Sequence, residues 1–444
     1  MSIQTAQLQA KKPSTLPLSS KKLTLPESVP ILLDTRLVER ITAFLFDKGG
    51  NDDPYKLSAN ANKSFVGSYV LGPGFTFDDT NPDANSISEM HRLIEKDHRN
   101  AERIFPYIGG EEVNSSPTHA HHRYVIDFFD RTEEDSWKWP HLMQIVKDKV
   151  KPIRDVKKRD SLRERWWQYA EKRPGLVRAI AQCDRVLVGP QTSKYRCFVF
   201  LSKGYVYDQT LVVFPLTLFS AFSVISSRVH EIWSCFFASS LGDGLRYNPS
   251  DCFETFPFPL DYETNPTLET IGQTYYEYRA DLMVRHNQGL TDTYNRFHDP
   301  EERNPDILKL RHLHDQMDQA VLKAYGWEDI NTSCGFALDY LDTDPKDLPT
   351  AAQDRIASGD LFFPTADEAI AFGSLVSTGK RKLPWRYKWP TATHDEVLAR
   401  LLELNQQRYL EEKRGHKAAP KASTPLAPMA DTDTPTIPGL ELSE

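Results

Sequence analysis

The chain has few cysteines, and none of them form a CxxC pair. Its five cysteines are scattered over 444 residues, and their positions match neither a disulfide framework nor a zinc-type spacing. This usage is typical of a reducing compartment, so we expect a cytoplasmic protein.

Long hydrophobic runs are lacking as well. The most apolar stretch, residues 211–225, is too short to span a membrane and contains Pro215. The first 24 residues have no apolar signal segment.

Motifs of common catalytic sites are also missing. There is no P-loop, no HExxH and no G-x-S-x-G. The HAHH run at 119–122 offers three histidines, but neighbouring histidines cannot all face one metal, and no carboxylate or cysteine cluster accompanies them. His312 and His314 are not spaced like neighbours on a helix face, so we expect surface histidines. We expect no metal site and no catalytic residue.

One short stretch raises the question of DNA methylation. Asp52-Asp53-Pro54-Tyr55 differs by one residue from the Asp-Pro-Pro-Tyr motif with which amino-methyltransferases hold a flipped base. Asp53 replaces the first proline. The nearest glycine-rich candidate for a methyl-donor loop, Gly72-Pro73-Gly74-Phe75, follows too closely to leave room for the helix and strand between the two motifs. We interpret Asp53-Pro54 as a loop turn, and we expect neither a complete methyltransferase fold nor a cofactor site.

Composition and hydrophobic periodicity predict an α+β protein with four ranges. Residues 1–30 and the Pro/Thr/Ala-rich residues 416–444 are expected to be disordered. Residues 31–260 are expected to form a mixed, β-rich domain, and residues 261–415 a mainly helical one. The two prolines of Phe256-Pro257-Phe258-Pro259 favour extended backbone and mark the boundary.

Several elements can be predicted from local patterns. Strands are expected at 68–77, 123–129, 185–189, 195–202 and 204–214, the last two joined as a hairpin through Lys203-Gly204. Single helices are expected at about 153–171 and 216–240, and amphipathic helices at 269–287, 306–327 and 394–415.

Positive charge is concentrated in one stretch. The whole chain carries 54 − 62 = −8, whereas residues 147–178 hold 12 Lys or Arg and 5 Asp or Glu, a net of +7. A local excess of this kind is expected of a phosphate-binding surface. A solvated helix face with internal salt bridges explains the charge equally well, and on charge alone both interpretations stay open.

A series of longer motifs resembles one family, the C-terminal half of single-chain type IIG/IIL restriction–modification enzymes and their adenine-specific DNA methyltransferase relatives. The resemblance runs from about 38 to 412 and is carried, in family order, by GNDDPYKLSANANKSFVGSYVLGPGFTFDD, ERIFPYIGGEEVN, RYVIDFFDR, RERWWQYAEKRPGL, LGDGLRYNPSDCFETFPFP and GLTDTYN…LRHLHDQMDQAVLKAYGW. It implies a target recognition domain followed by a helical region. The nuclease and methyltransferase domains that come first in that family are not found in this sequence.

The resemblance also implies where DNA is read. Relatives vary their base-reading residues just before Arg246-Tyr247, which here gives Gly242, Gly244 and Arg246. Arg246 can bond guanine O6 and N7. The glycines have no side chain for readout, and both can instead be helix C-caps.

Two further sets of residues are candidates for DNA contact. The loop Gln191-Thr192-Ser193-Lys194-Tyr195-Arg196 is polar and basic and can reach phosphates or bases, although it can also be an ordinary hairpin loop. Phosphate candidates in the basic stretch are Lys157, Lys158, Arg159, Arg163 and Arg165. Trp166 and Trp167 could stack on bases only if they were exposed. We expect both in the core instead.

These observations favour a sequence-specific binder of double-stranded DNA, the specificity module of a restriction–modification or adenine methylation system. S-adenosylmethionine is expected only on a partner, a methyltransferase or nuclease subunit. Two alternatives stay open: part of an adenine-specific methyltransferase that is active only with its catalytic half, or a protein-interaction remnant.

Overall fold

A computed structural model of the chain describes residues 31–33, 36–38, 53–241, 244–341, 343–359, 361–377, 379 and 382–418. It is 51% helical with 14% strand, which confirms the predicted α+β class. The predicted disordered ranges, 1–30 and 416–444, lie outside the described residues, except that 416–418 continue the last helix. No helix within the described part of the chain is long and apolar enough to cross a membrane.

The helices are, in chain order, α1 Ile87–Lys96, α2 Gly110–Ser115, α3 Glu133–Ser136, α4 Pro140–Lys149, α5 Lys151–Asp155, α6 Asp160–Glu164, α7 Pro174–Ile180, α8 Phe219–Ser226, α9 Arg228–Phe236, α10 Pro266–His286, α11 Leu290–Phe297, α12 Pro305–Tyr325, α13 Thr350–Ala357, α14 Ala366–Val376 and α15 Thr391–Ala418. The strands are β1 Ile31–Leu33, β2 Arg36–Val38, β3 Phe65–Val66, β4 Thr76–Phe77, β5 Ile104–Ile108, β6 Arg123–Ile126, β7 Arg185–Pro190, β8 Thr192–Ser193, β9 Val199–Ser202, β10 Val206–Tyr207, β11 Leu211–Phe214, β12 Ser239–Leu241, β13 Gly244–Arg246, β14 Gly335–Leu338, β15 Phe362–Phe363 and β16 Trp385–Lys388.

The chain divides into two compact units. The larger comprises residues 54–297, 302–332 and 404–444, and the smaller comprises 1–53, 298–301 and 333–403. The predicted domain limits, 31–260 and 261–415, are drawn from sequence patterns and stay a prediction.

Three sheets lie in the described part of the larger unit. A four-stranded sheet in the order β10-β5-β6-β4 shares a hydrophobic cluster with α4, to which Trp166 and Trp167 belong. Both tryptophans are buried, as predicted. A second four-stranded sheet has the order β3-β11-β7-β9, and its strands β7 and β11 are almost wholly buried. The third, smaller sheet has the order β12-β13-β8.

The ends of the long helices follow local chemistry. Helix α10 starts with Asn265 as N-cap and Pro266 in its first turn. Proline suits this position because a backbone N–H in the first turn of a helix has no intrahelical partner, so its absence costs no hydrogen bond. Helix α12 ends at Gly326, whose positive φ of 74° favours glycine. Helices α8 and α10 approach closely at Gly272, where an added Cβ would lie 2.3 Å from the Phe219 carbonyl oxygen. The predicted helices at 269–287, 306–327 and 394–415 are confirmed by α10, α12 and α15.

The smaller unit contains the antiparallel sheet β15-β14-β16. Phe336, Leu338, Phe363 and Phe372 share its hydrophobic cluster. This sheet lies in the range that was predicted to be mainly helical, and its short strands gave no clear signal. Tyr387, on β16, donates its backbone N–H to His298 Nδ1 at 2.9 Å.

The predicted hairpin through Lys203-Gly204 is wrong. Strand β9 pairs with β7, whereas β10 pairs in parallel with β5. The predicted strand 204–214 is split, because β11 joins the second sheet between β3 and β7. The partners of these strands are distant in sequence, and turn chemistry alone does not select them.

Both long helices predicted in the first half are interrupted. The first is reduced to α5 and α6, and the chain then runs through four consecutive buried residues, 166–169, which an amphipathic helix cannot bury together. The second breaks at Ser227, whose extended backbone (ψ 159°) separates α8 from α9. The predicted strand 68–77 is reduced to β4 because Leu71 and Gly72 have positive φ. Strand 185–189 is confirmed by β7.

Candidate nucleic-acid interface

The small sheet β12-β13-β8 joins two segments that the sequence marked separately. Strand β8 lies in the loop predicted to reach DNA, and β13 carries Arg246. The two strands pair antiparallel, with Leu245 opposite Ser193 and Arg246 opposite Thr192. The connection between β7 and β9 therefore packs edge to edge with the stretch before Tyr247. The structure brings these candidates together, which their separation in sequence did not predict.

The register decides which side chains share a face. Residues directly opposite each other in an antiparallel pair point to the same side of a sheet. Arg246 thus lies on the face of Thr192 and Ser239, its partners on either side, and Leu245 lies on the other face with Ser193. Arg246 and Thr192 are exposed, and Leu245 retains 36% of its accessible surface. The side chains of Arg246 and Ser193 therefore point to opposite faces of the sheet.

Arg246 forms no salt bridge with any residue that the structure describes. Its Nη2 lies 3.2 Å from the side-chain amide oxygen of Gln191, in the amide orientation that satisfies both ends of that group. The chain beside it is anchored, since Tyr247 donates its backbone N–H to the Gln191 carbonyl at 2.7 Å. An exposed guanidinium on an anchored strand can present several N–H donors outward.

The other residues of the predicted loop differ in exposure. Lys194 is exposed, and its Nζ lies 3.0 Å from Asn295 Oδ1. Tyr195 is buried and donates its hydroxyl to the same oxygen at 2.8 Å. Arg196 donates from Nη2 to the Leu245 carbonyl at 3.1 Å, and its guanidinium lies over the Tyr247 ring. Tyr195 and Arg196 thus hold the loop against α11 and β13, while Lys194 lies at the surface. The predicted DNA contacts of Ser193, Lys194, Tyr195 and Arg196 stay predictions.

Of the two glycines before Arg246, Gly244 is not a helix C-cap. Helix α9 ends at Phe236 with Phe237 as its C-cap, and β12 follows. Gly244 is the first residue of β13, and Gly242 lies outside the described residues.

A buried contact between Tyr247 and His230 holds the end of the small sheet against helix α9. Tyr247 is buried and its hydroxyl lies 3.1 Å from Nε2 of His230, whose Nδ1 is 3.0 Å from the Ile225 carbonyl oxygen. Burial lowers the pKa of His230 to about 3, so the ring is neutral at physiological pH. The neutral ring can donate to the carbonyl and accept from Tyr247, which fixes the end of β13 on helix α9.

The basic stretch 147–178 uses much of its charge internally. Arg154 is fully buried and donates to the carbonyl oxygens of Val70 and Leu71. Further pairs are Lys151–Asp155, Arg159–Glu171, Arg163–Asp160 and Lys172–Asp130. Among the predicted phosphate candidates, Lys157, Lys158 and Arg165 are exposed and form no salt bridge within the described residues. Both interpretations of the stretch therefore hold in part: five of its twelve cations are in ion pairs or buried, and the others form no salt bridge within the described residues.

The Asp-Asp-Pro-Tyr stretch forms a structural contact. Tyr55 stacks on Tyr409 with ring centroids 4.0 Å apart. Its backbone N–H and carbonyl bond to the side-chain amide of Asn405, each at 2.8 Å. Asp52 lies outside the described residues. The tyrosine ring is thus occupied by an intramolecular partner rather than available to a base.

One group of possible metal ligands occurs among the described residues. His314, Asp315 and Asp318 offer ligand atoms within 4.8 Å of one another. The guanidinium of Arg228 already contacts both carboxylates, with Nη1 2.9 Å from Asp315 Oδ1 and 2.5 Å from Asp318 Oδ2. The arginine therefore supplies the positive charge that a metal would supply. The prediction of a surface position is wrong for His314, which is buried; His312 is exposed.

One of three comparisons with known proteins, the scan against family models, supports the resemblance found in the motifs. A search of curated proteins found no match. A solved structure of the type IIL restriction–modification enzyme MmeI in complex with DNA aligns with 17% identity and a TM-score of 0.47. The alignment covers 76% of this chain and 39% of that chain, so the described protein corresponds to less than half of the enzyme's length. A family model described as "MmeI, target recognition domain" matches residues 84–260, and over that range the resemblance to a target recognition domain is confirmed.

Proposed function

We propose that this chain recognises a specific sequence in double-stranded DNA, as the specificity module of a restriction–modification or adenine methylation system. The observation that carries the proposal is the β8–β13 pairing inside the range that matches a target recognition domain. This pairing gathers both segments expected to read bases onto one small, exposed sheet. A β-ribbon of this size can enter the major groove, where each base pair presents a distinct set of donors and acceptors.

Arg246 is the base-reading residue in this proposal. Its guanidinium is exposed, and no carboxylate within the described residues competes for it. Arginine bonds guanine O6 and N7 with two parallel N–H donors. The hydroxyl of Thr192, on the same face, can add a contact to a base edge or a phosphate.

Phosphate contacts come from exposed lysines. Lys157 and Lys158 follow α5 and have no ion-pair partner within the described part of the chain, and Lys194 lies beside β8. Such contacts position a protein on DNA and carry no sequence information. They make affinity depend on salt, because each one releases condensed counterions.

Catalysis belongs to a partner in this proposal. A methyltransferase or nuclease subunit would carry S-adenosylmethionine or the cleaving site, and base flipping would take place there. The intramolecular stacking of Tyr55 on Tyr409 favours this assignment over a methylation site at residues 52–55.

Selection from a randomised duplex library tests the function. Bound duplexes should be enriched in one short motif, and log affinity for that motif should fall linearly with log salt concentration. A library recovered without enrichment would contradict sequence recognition. Isothermal titration with S-adenosylmethionine completes the test: tight binding by this chain alone would contradict the assignment of the cofactor to a partner.

A further inference from the structure

A buried glutamine, Gln191, connects strands β7 and β8 and contacts the segments that contain Thr210 and Tyr247. Gln191 follows β7 and precedes β8, and only 8% of its surface is exposed. Its backbone N–H donates to the Thr210 carbonyl at 2.7 Å, and its carbonyl accepts from Tyr247 N–H at 2.7 Å. Neighbouring segments therefore hold both backbone groups of Gln191, so the Cα atom from which its side chain extends is fixed in position.

The side chain of Gln191 makes a second pair of contacts. Its amide lies between the carbonyl oxygen of Gln209 and Nη2 of Arg246, at 3.2 Å from each. Only one of the two amide orientations satisfies both neighbours: the nitrogen donates to Gln209 and the oxygen accepts from Arg246. The carbonyl of Gln209 thus determines which end of the amide faces the arginine.

This arrangement restrains an otherwise flexible side chain. A free arginine loses rotamer entropy when it is fixed in one geometry. One N–H of Nη2 is used by Gln191, and the remaining donors of the guanidinium stay available for a ligand. A group fixed before binding gains affinity and selectivity, since less freedom is lost on binding.

We infer that Gln191 is a positioning residue that presents Arg246 to a guanine, and that it thereby determines base specificity without touching DNA. The inference rests on the proposed function, because it concerns the selectivity of the same surface.

The test compares base-pair discrimination among variants of the full chain. The wild-type protein is first used to select a duplex, and Arg246→Ala then identifies the guanine-containing pair whose discrimination is lost. Gln191→Met removes the amide at similar volume and should reduce discrimination at that same pair about tenfold. Discrimination at the other pairs should be unchanged. Added to Arg246→Ala, it should have no further effect, because both changes remove one function.

Gln168→Met is the matched control. Gln168 is also buried, and its side chain donates to the backbone carbonyl of Arg131 at 2.8 Å. Its side-chain partners within the described residues are Arg131 and Lys172 and do not include Arg246. It should leave discrimination unchanged. Gln191→Asn keeps the amide but shortens the side chain, so it should show the loss seen for Gln191→Met even if the methionine variant folds poorly.

The outcomes separate the inference from the function on which it rests. If Arg246→Ala loses discrimination while both Gln191 variants keep it, the positioning role is overturned and DNA recognition stands. If the wild-type chain selects no duplex, both are overturned. Loss confined to the Arg246 base pair in the Gln191 variants supports the inference.

Discussion

The basic stretch 147–178 and the small sheet β12-β13-β8 use their cations in opposite ways. The stretch is rich in charge, yet Arg154 is buried and Arg159 and Arg163 pair with carboxylates. The sheet carries few cations, but Arg246 is exposed without an ion pair among the described residues. Several cations of the first region are thus held inside the protein or by neighbouring carboxylates. What matters for recognition is whether a cation is exposed, unpaired and held in place.

The largest expected effect is on stability and concerns Arg154, the fully buried arginine of the basic stretch. Arg154→Ala removes the donors to the Val70 and Leu71 carbonyls and leaves a cavity. We expect a loss of about 3 kcal/mol in the free energy of unfolding. Urea denaturation measures it, with Lys158→Ala as an exposed control that should change stability by less than about 0.5 kcal/mol. Equal stability of the two variants would show that Arg154 is not structural.

The second prediction concerns the sheet. Arg246→Ala should remove about 1–3 kcal/mol of discrimination at one base pair, because a bidentate arginine–guanine contact is lost. Binding titrations with the selected duplex and with single-pair variants measure it. Arg159→Ala is the control, since that arginine is paired with Glu171 at 2.7 Å. If the two substitutions relax specificity equally, the comparison between the two regions fails.

The third prediction sharpens the view of what supports the sheet. Burial lowers the pKa of His230 to about 3, below the unfolded value near 6.5. Between these values the unfolded state binds the additional proton, so stability falls as pH falls, by up to about 1.4 kcal/mol per pH unit. Unfolding free energies should show this slope for the wild type minus His230→Gln. A difference that does not vary with pH between about 6.5 and 4 would contradict a buried neutral ring.

The smallest effect is expected from the exposed lysines. Replacing Lys157 and Lys158 by alanine should weaken binding to selected and unselected duplexes alike. It should also reduce the slope of log affinity against log salt by about 0.9 for each lysine that contacts a phosphate. Filter binding at several salt concentrations measures the slope. An unchanged slope would assign both lysines to solvent alone.

The sequence predicted features that depend on local patterns. Strand β7 and helices α10 and α12 follow from hydrophobic spacing within one segment, and the burial of Trp166 and Trp167 follows from their large apolar side chains. The motif resemblance to a target recognition domain is confirmed over 84–260 by the matching family model.

Features that depend on distant partners could not be predicted in this way. The hairpin through Lys203-Gly204 failed because β10 pairs with β5 and β9 with β7. The side-chain contact between Gln191 and Arg246 and the ion pair Arg228–Asp318 also join segments far apart in sequence. Both segments that are expected to read bases were marked in the sequence, but only the β8–β13 register shows that they are neighbours and which faces they share.

Hydrogen exchange with two duplexes tests the central claim most directly. Amide exchange is compared for the free chain, for the chain with its selected duplex, and for the chain with a duplex altered at one pair. The account predicts that β8 and β13 gain protection only with the selected duplex, whereas residues around Lys157 and Lys158 gain it with both. Equal protection of β8 and β13 by both duplexes, or none, would contradict the claim that this small sheet reads the sequence.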